Sequence, residues 1–136
     1  MKKGLFFAMV VGLVFFAMGA GYAEEVPITE ENVAQLTGKW EGERKVTSPK
    51  GAYSTNMEFS VSPLKAVIKY YGGGRFSGHE FPVEVEIKKG KIYLKGGPIE
   101  ATLTLNISKS GKMMLEGNYI FREGPGSYGR YEFYKK

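Results

Sequence analysis

Apolar and polar side chains alternate strictly along most of this chain. In FPVEVEIK, residues 81–88, every second residue is apolar and the residues between are charged or proline. IEATLTLNIS, residues 99–108, repeats the alternation with an equally clean apolar face. A period of two places the apolar side chains on one face of an extended strand. Turn-forming residues interrupt the pattern about every 8 to 14 residues, which is typical of all-β sandwiches and barrels.

The alternation and the turn signals together predict eight strands. Their predicted bounds are 39–47, 52–62, 64–71, 81–88, 91–95, 98–108, 112–122 and 128–135. The connections are short, so neighbours in sequence are expected to pair as antiparallel hairpins. An open sheet of this kind leaves two unpaired edges, and closure removes both. The predicted fold class is therefore all-β: an eight-stranded antiparallel up-and-down β-barrel with a short N-terminal helical segment.

The first 23 residues have the layout of a secretory signal peptide. Lys2 and Lys3 precede an apolar run over residues 5–20, and Gly21-Tyr22-Ala23 supplies small residues for cleavage. No Cys follows the run, which excludes a bacterial lipoprotein anchor. We expect cleavage after Ala23, with an uncleaved membrane anchor as the alternative. The expected product is exported, periplasmic or secreted from a bacterium, and has no transmembrane span once the signal is removed.

The remaining chain is expected to form one domain. Residues 24–37 are predicted to be an N-terminal segment with a short helix that begins after Thr29, and residues 38–136 the β-barrel domain. The chain has no Cys, so its stability must come from a packed core. Its formal net charge of +5 is spread along the sequence. Nucleic-acid binding needs clustered cations, so we expect no nucleic-acid partner.

The predicted connections differ in length between the two ends of the barrel. Tight turns at 62–63, 89–90 and 109–111 share one end, which also receives the N-terminal segment. The longer or glycine-rich connections at 48–51, 72–80, 96–97 and 123–127 share the other end. Because longer loops carry function more often than tight turns, we expect a mouth at this second end.

The single tryptophan, Trp40, opens the first long strand at the end with the tight turns. A ring of this size is suited to plug the barrel floor, with Gly38 and Gly42 leaving it space. A short helical segment followed by Gly38-Lys39-Trp40 at the start of an eight-stranded meander resembles the lipocalins and the wider calycin group, which includes avidins and fatty-acid-binding proteins. The resemblance implies a barrel that binds a small molecule. Avidin sites use several tryptophans, so biotin is not the expected ligand.

Alternation from Trp40 directs Arg44 into the barrel. A buried cation is unfavourable unless it is paired. The resemblance to fatty-acid-binding proteins implies that Arg44 holds a ligand carboxylate. Two alternatives stay open: a bulge near Gly42 that reverses the alternation, and a structural ion pair with Glu132. The candidate ligand-binding residues are inward-facing side chains, namely Arg44, Met57, Phe59, Ile68, Tyr70, Val85, Leu103, Tyr119, Phe121 and Tyr131.

Candidate rim residues gather near the predicted mouth: Arg75, His79, Arg122, Tyr128 and Arg130. They would favour an anionic or aromatic partner, and the alternative is an ordinary polar rim. The chain has one His, no Cys and no Asp. Metal sites gather several such ligands, and serine- and cysteine-nucleophile enzymes need residues that this chain lacks. We therefore expect no metal, no cofactor and no enzymatic activity.

Two functions remain open from the sequence. The first is an exported lipocalin-like binding protein for a small apolar or anionic amphiphilic ligand. The second is an exported protein-interaction domain with a filled core, such as a hydrolase inhibitor or an assembly subunit that has an envelope protein as its partner. The sequence does not predict the volume of the barrel interior or the oligomeric state.

Overall fold

The computed structural model describes residues 24–48, 50–72 and 76–136. The predicted signal peptide, residues 1–23, and the rim candidate Arg75 lie outside the described residues. One 3-10 helix, Val33–Leu36, and nine strands are present in the described part. The strands are β1 (Glu24–Val26), β2 (Gly38–Val46), β3 (Gly51–Val61), β4 (Leu64–Tyr70), β5 (Glu80–Lys88), β6 (Lys91–Gly96), β7 (Ile99–Ile107), β8 (Met113–Phe121) and β9 (Ser127–Lys135).

Strands β2 to β9 form a closed antiparallel barrel. Each strand pairs with its neighbour in sequence, and β9 returns to pair with β2 from Trp40↔Lys135 to Val46↔Gly129. The predicted eight-stranded barrel is confirmed, and every predicted strand end lies within one residue of the observed one. Closure satisfies the backbone groups that an open meander would leave unpaired at its edges.

The apolar face of each barrel strand points into a common interior. Large side chains buried there include Phe59, Ile68, Leu103, Leu115 and Phe133. Burial of each such side chain contributes roughly 1.5–3 kcal/mol. The core therefore stabilises a chain that has no disulfide.

Two inward-facing glycines allow the strands to coil tightly around the barrel. A Cβ atom on Gly42 would overlap the carbonyl oxygen of Glu132 on the neighbouring strand β9. A Cβ atom on Gly117 would overlap the carbonyl oxygen of Thr102 on β7 in the same way. Glycine in a strand permits this close approach of two backbones and the bend that closes a small barrel.

The N-terminal segment covers the end of the barrel that has the tight turns. Strand β1 pairs with β7 from Glu24↔Ile107 to Val26↔Leu105. This part of β7 extends past the residues that pair with β6, which reach only to Leu103. The Ile28 N–H then donates to the Gly90 carbonyl at 3.0 Å. A three-residue strand carries too little alternation to be recognised in the sequence, so β1 was not predicted.

The helical part of this segment is shorter than the sequence suggested. Thr29 and Asn32 hold a turn between them: the Thr29 N–H donates to Asn32 Oδ1 at 2.8 Å, and the Asn32 N–H to Thr29 Oγ1 at 3.3 Å. The regular helix begins only at Val33 and consists of one 3-10 turn. Short helices of this kind are common as connectors. No helix in the described ranges has the length and apolar character needed to cross a bilayer.

Trp40 joins the barrel floor to the N-terminal segment. Its side chain is fully buried, and the indole Nε1–H donates to the Leu36 carbonyl at 2.9 Å. Leu36 itself is fully buried beside it. The indole therefore fills the bottom of the interior and satisfies a backbone carbonyl at the end of the 3-10 helix.

Candidate functional site: a cavity at the barrel mouth

A cavity of about 230 Å³ lies at the end of the barrel where the longer connections meet. We call it the mouth cavity. Its lining comes from β2, β3 and β4, from the segment after β4, and from the end of β8, the start of β9 and the connection between them. The lining side chains that define its chemistry are Arg44, Tyr53, Tyr70, Phe76, Phe121 and Glu123.

Arg44 is the buried cation of the mouth cavity, with 4% of its surface exposed. One terminal nitrogen of its guanidinium donates to Thr55 Oγ1 at 3.1 Å, and the other donates to the Gly72 carbonyl at 3.1 Å. The guanidinium carbon lies 3.8 Å from the centroid of the Tyr70 ring and 5.0 Å from that of Tyr53. These neighbours are all electrically neutral, so they solvate the cation without cancelling its charge.

No carboxylate forms an ion pair with Arg44, although every acidic residue of the chain lies within the described ranges. Glu132, the partner considered above, instead accepts a hydrogen bond from Lys45 on the outer face at 3.0 Å. Strand β2 pairs with β3 continuously from Gly38↔Phe59 to Val46↔Gly51, so no bulge reverses the alternation. Arg44 therefore points inward and lacks a structural counter-ion.

A layer of tyrosines lies beneath Arg44. The hydroxyls of Tyr70 and Tyr131 are hydrogen-bonded at 2.7 Å, and the rings of Tyr119 and Tyr131 are stacked with centroids 4.4 Å apart. Burial raises the pKa of Tyr70 and the pKa of Tyr131 well above the ordinary value of a tyrosine. The positive charge of Arg44 lowers both pKa values, but only in part. Both phenols therefore keep their protons at neutral pH and cannot act as anions toward Arg44.

The Tyr119 hydroxyl is buried and forms no hydrogen bond among the described residues. Burial raises the pKa of Tyr119, and the side chains of Ser127 and Arg44 lower it in part, although the Ser127 contact falls short of hydrogen-bond geometry. Ser127 itself lines the mouth cavity. A buried polar group without a partner is unfavourable, so an unused donor lies close to the cavity.

The structure separates the predicted ligand-binding residues into two groups. Arg44, Tyr70 and Phe121 line the mouth cavity together. Val85 is half-buried and packs against the core. The remaining candidates are buried in the packed interior and do not line the cavity: Met57, Phe59, Ile68, Leu103, Tyr119 and Tyr131.

The four rim candidates in the described ranges, His79, Arg122, Tyr128 and Arg130, do not line the mouth cavity. Arg122 is exposed and pairs with Glu100 at 2.8 Å, while Arg130 is exposed and pairs with Glu116 at 3.0 Å. Together with the exposed Tyr128, both arginines line a second concavity of about 1140 Å³ on the outer wall of β8 and β9. It shares Phe121, Pro125, Gly126 and Ser127 with the mouth cavity. His79 is exposed, with its ring 5.7 Å from that of Phe76.

The candidate ligand-binding and rim residues do not include Phe76, Glu123 or Ser127, nor the lining residues Val46, Tyr53, Pro125 and Gly126. Phe76 and Glu123 lie in connections, and Ser127 is the first residue of β9, so alternation did not give their direction. For Phe76 the available signal was an aromatic residue inside a glycine-rich segment. Tyr53 was accessible to the same reasoning as Arg44, because it precedes the inward positions Thr55 and Met57 along β3 at the same period of two.

Comparison with known proteins assigns no family. No family model, no curated protein and no solved structure matches the chain. In the described ranges, no group of three metal-ligating side chains converges.

Proposed function

We propose that this chain is an exported lipocalin-like binding protein of the calycin type, whose barrel holds a small anionic amphiphilic ligand at Arg44. One observation carries the proposal: Arg44 is buried at the mouth cavity and no carboxylate of the chain forms an ion pair with it. A cation without a counter-ion destabilises a folded protein, unless the site is completed by an anion from outside.

The chemistry of arginine supports this role. Its planar guanidinium presents five N–H donors, and a carboxylate accepts two of them in a bidentate pair. The present acceptors, a threonine hydroxyl and a backbone carbonyl, are weaker partners than a carboxylate. Aromatic side chains around the guanidinium offer an apolar wall to the rest of the ligand.

The proposal is binding without catalysis. General acid–base chemistry needs a side chain that titrates near the working pH and contacts the reacting atoms. The buried phenols beneath Arg44 have raised pKa values and hold their protons at neutral pH. Export is proposed from the signal-like residues 1–23, and N-terminal sequencing of the protein from a periplasmic fraction tests it.

The binding proposal is tested by comparing matched variants. Arg44→Gln and Arg130→Gln remove the same charge, but Arg130 is exposed on the outer wall. Calorimetric titration of each protein with a set of carboxylates of graded size should show at least one that binds the wild type and the Arg130 variant equally. The same carboxylate should bind Arg44→Gln at least tenfold more weakly. Equal binding to all three proteins, or no binding, contradicts the proposal.

A second function, a protein-interaction domain, is favoured by a different observation. Ile120 and Tyr128 pair across β8 and β9 and are 44% and 55% exposed on the outer wall. Exposed apolar side chains beside a concavity are typical of contact surfaces. Under this alternative, Ile120→Lys with Tyr128→Glu abolishes a complex that cross-linking detects in the cell envelope, whereas Arg44→Gln leaves the complex intact.

A further inference from the structure

The interior below Arg44 has no room for a ligand tail. Tyr131, the cross-strand partner of Arg44, stacks on Tyr119, and Phe59, Phe133 and Trp40, which lie closer to the barrel floor, are at most 1% exposed. The guanidinium therefore lies at the bottom of the accessible space. A bound anion must therefore enter with its charged group first, so that its apolar part lies between Arg44 and the mouth.

The volume of the mouth cavity limits the size of that apolar part. The cavity measures about 230 Å³. An apolar cavity of about 150 Å³ holds one benzene molecule, and a water-sized group takes up about 30 Å³. One ring and a short carboxylate arm fit these dimensions. An extended chain of twelve carbons is longer than this space, so part of its tail would lie outside the cavity in solvent.

The walls of the mouth cavity are flat aromatic faces and edges. The rings of Phe76 and Phe121 lie edge to face with centroids 4.7 Å apart, and the ring of Tyr70 is tilted against Phe121 at 5.6 Å. Aromatic pairs in offset or edge-to-face geometry gain energy beyond the area they bury. A ligand ring can enter such pairs, whereas a saturated ring of the same size gains burial alone.

The charges around the mouth cavity distinguish a monoanion from a dianion. Arg44 supplies the positive charge of the cavity lining. Glu123 supplies the negative charge and lies on the connection after β8. The raised pKa of Tyr119 keeps its unpartnered hydroxyl available as a neutral donor near Arg44. One carboxylate on the ligand is therefore attracted, and a second negative charge near the mouth is repelled by Glu123.

We infer that the mouth cavity selects a compact aromatic monocarboxylate, with the carboxylate on Arg44 and the ring among Tyr70, Phe76 and Phe121. The inference rests on the proposed function and adds the class of ligand. It excludes long-chain fatty acids as the ligand, and it excludes aromatic dicarboxylates of similar length.

The test is an NMR chemical-shift titration of the ¹⁵N-labelled protein, a method that also measures weak binding. The probes are phenylacetate, its saturated counterpart cyclohexylacetate, its neutral counterpart 2-phenylethanol, and laurate. Phenylacetate should bind at least tenfold more tightly than laurate or 2-phenylethanol and at least threefold more tightly than cyclohexylacetate. Arg44→Gln should weaken phenylacetate at least tenfold, Arg44→Lys should recover part of the affinity, and Arg130→Gln should stay within twofold of the wild type.

The outcomes separate this inference from the proposed function. If laurate binds as tightly as phenylacetate and still depends on Arg44, the size limit is wrong and the proposed function stands. If cyclohexylacetate matches phenylacetate, the aromatic preference is wrong and the proposed function again stands. If no carboxylate depends on Arg44, both are wrong. The probe series is measured on the wild type, so it remains decisive even if a variant folds poorly.

Glu123 is tested by a separate pair of variants. Glu123→Gln should improve binding of the dianion 1,4-phenylenediacetate by at least threefold at low ionic strength, and the gain should shrink in 1 M salt. Glu58→Gln, on the outer face of β3, is the matched control and should change nothing. Equal affinities for Glu123→Gln and the wild type contradict the selection against dianions.

Discussion

The guanidinium carbon of Arg44 lies 3.8 Å from the centroid of the Tyr70 ring, and the Tyr70 hydroxyl is held from the other side by Tyr131 at 2.7 Å. A cation over an aromatic face within about 6 Å is attracted by the ring. The hydrogen bond to Tyr131 fixes the ring that supports the cation. Arg44 is thus held in place by neutral groups.

Replacement of Arg44 by Met should leave the unliganded protein at least as stable as the wild type. The substitution removes a buried charge that has no ion-pair partner and keeps a side chain of similar length. Even buried ion pairs can often be replaced by apolar side chains with a change that is neutral or stabilising by about 1–4 kcal/mol. Urea unfolding monitored by Trp40 fluorescence measures the change. A loss of about 2 kcal/mol or more would show instead that Arg44 has a structural role.

The stability of the protein should fall steeply above about pH 10. Burial raises the pKa of Tyr70, Tyr119 and Tyr131 in the folded chain, so the folded state holds phenol protons that the unfolded chain has released. Unfolding then releases protons, and the free energy of unfolding decreases as pH rises, by up to about 1.4 kcal/mol per pH unit for each phenol. Below about pH 10 both states are protonated and these groups add no slope.

Tyr131→Phe tests this origin of the alkaline slope. Urea unfolding at a series of pH values from 9 to 12 should give a smaller slope for the variant than for the wild type, because one of the buried phenols is gone. Tyr128→Phe is the matched control, since Tyr128 is 55% exposed on the outer wall. An unchanged slope in Tyr131→Phe contradicts the assignment.

Gly117→Ala should destabilise the barrel by several kcal/mol or prevent folding. The added Cβ would overlap the Thr102 carbonyl oxygen on β7, and both strands are paired along their length in the closed barrel. Overpacking against backbone is relieved only by moving a strand. Gly97→Asn is the control, because nothing lies within 4 Å of the added Cβ and Asn tolerates its φ of +53°. Circular dichroism and urea unfolding compare the two variants.

Trp40→Phe should loosen the N-terminal segment from the barrel. It removes the indole N–H that donates to the buried Leu36 carbonyl and leaves a void beside it, so we expect a loss of about 2–4 kcal/mol. Hydrogen exchange should accelerate in β1 and at Ile28 more than in the barrel strands. Phe133→Leu, which also reduces a fully buried ring, should not show this preference. Uniform acceleration in both variants would contradict the link through Trp40.

Alternation along each strand was enough to predict the barrel, but it left the direction of Arg44 open, because a bulge near Gly42 would have reversed it. The continuous pairing of β2 with β3 decided that direction. The period of two is a local property of an extended backbone, and closure follows from short connections and the need to pair both edges. The sequence did not predict β1, because three residues are too few to show alternation. It predicted a longer helix than the structure has, because the turn between Thr29 and Asn32 delays the start of the helix.

Alternation does not distinguish an inward side chain that lines a cavity from one that packs in the core. Phe121 and Phe133 both face inward, yet Phe121 lines the mouth cavity and Phe133 is fully buried beneath it. That difference depends on how side chains from strands distant in sequence fill the same space, as Tyr131 does below Tyr70. The tertiary structure likewise determined that Phe76 and Glu123 meet at the mouth, because loop residues have no strand period to direct them.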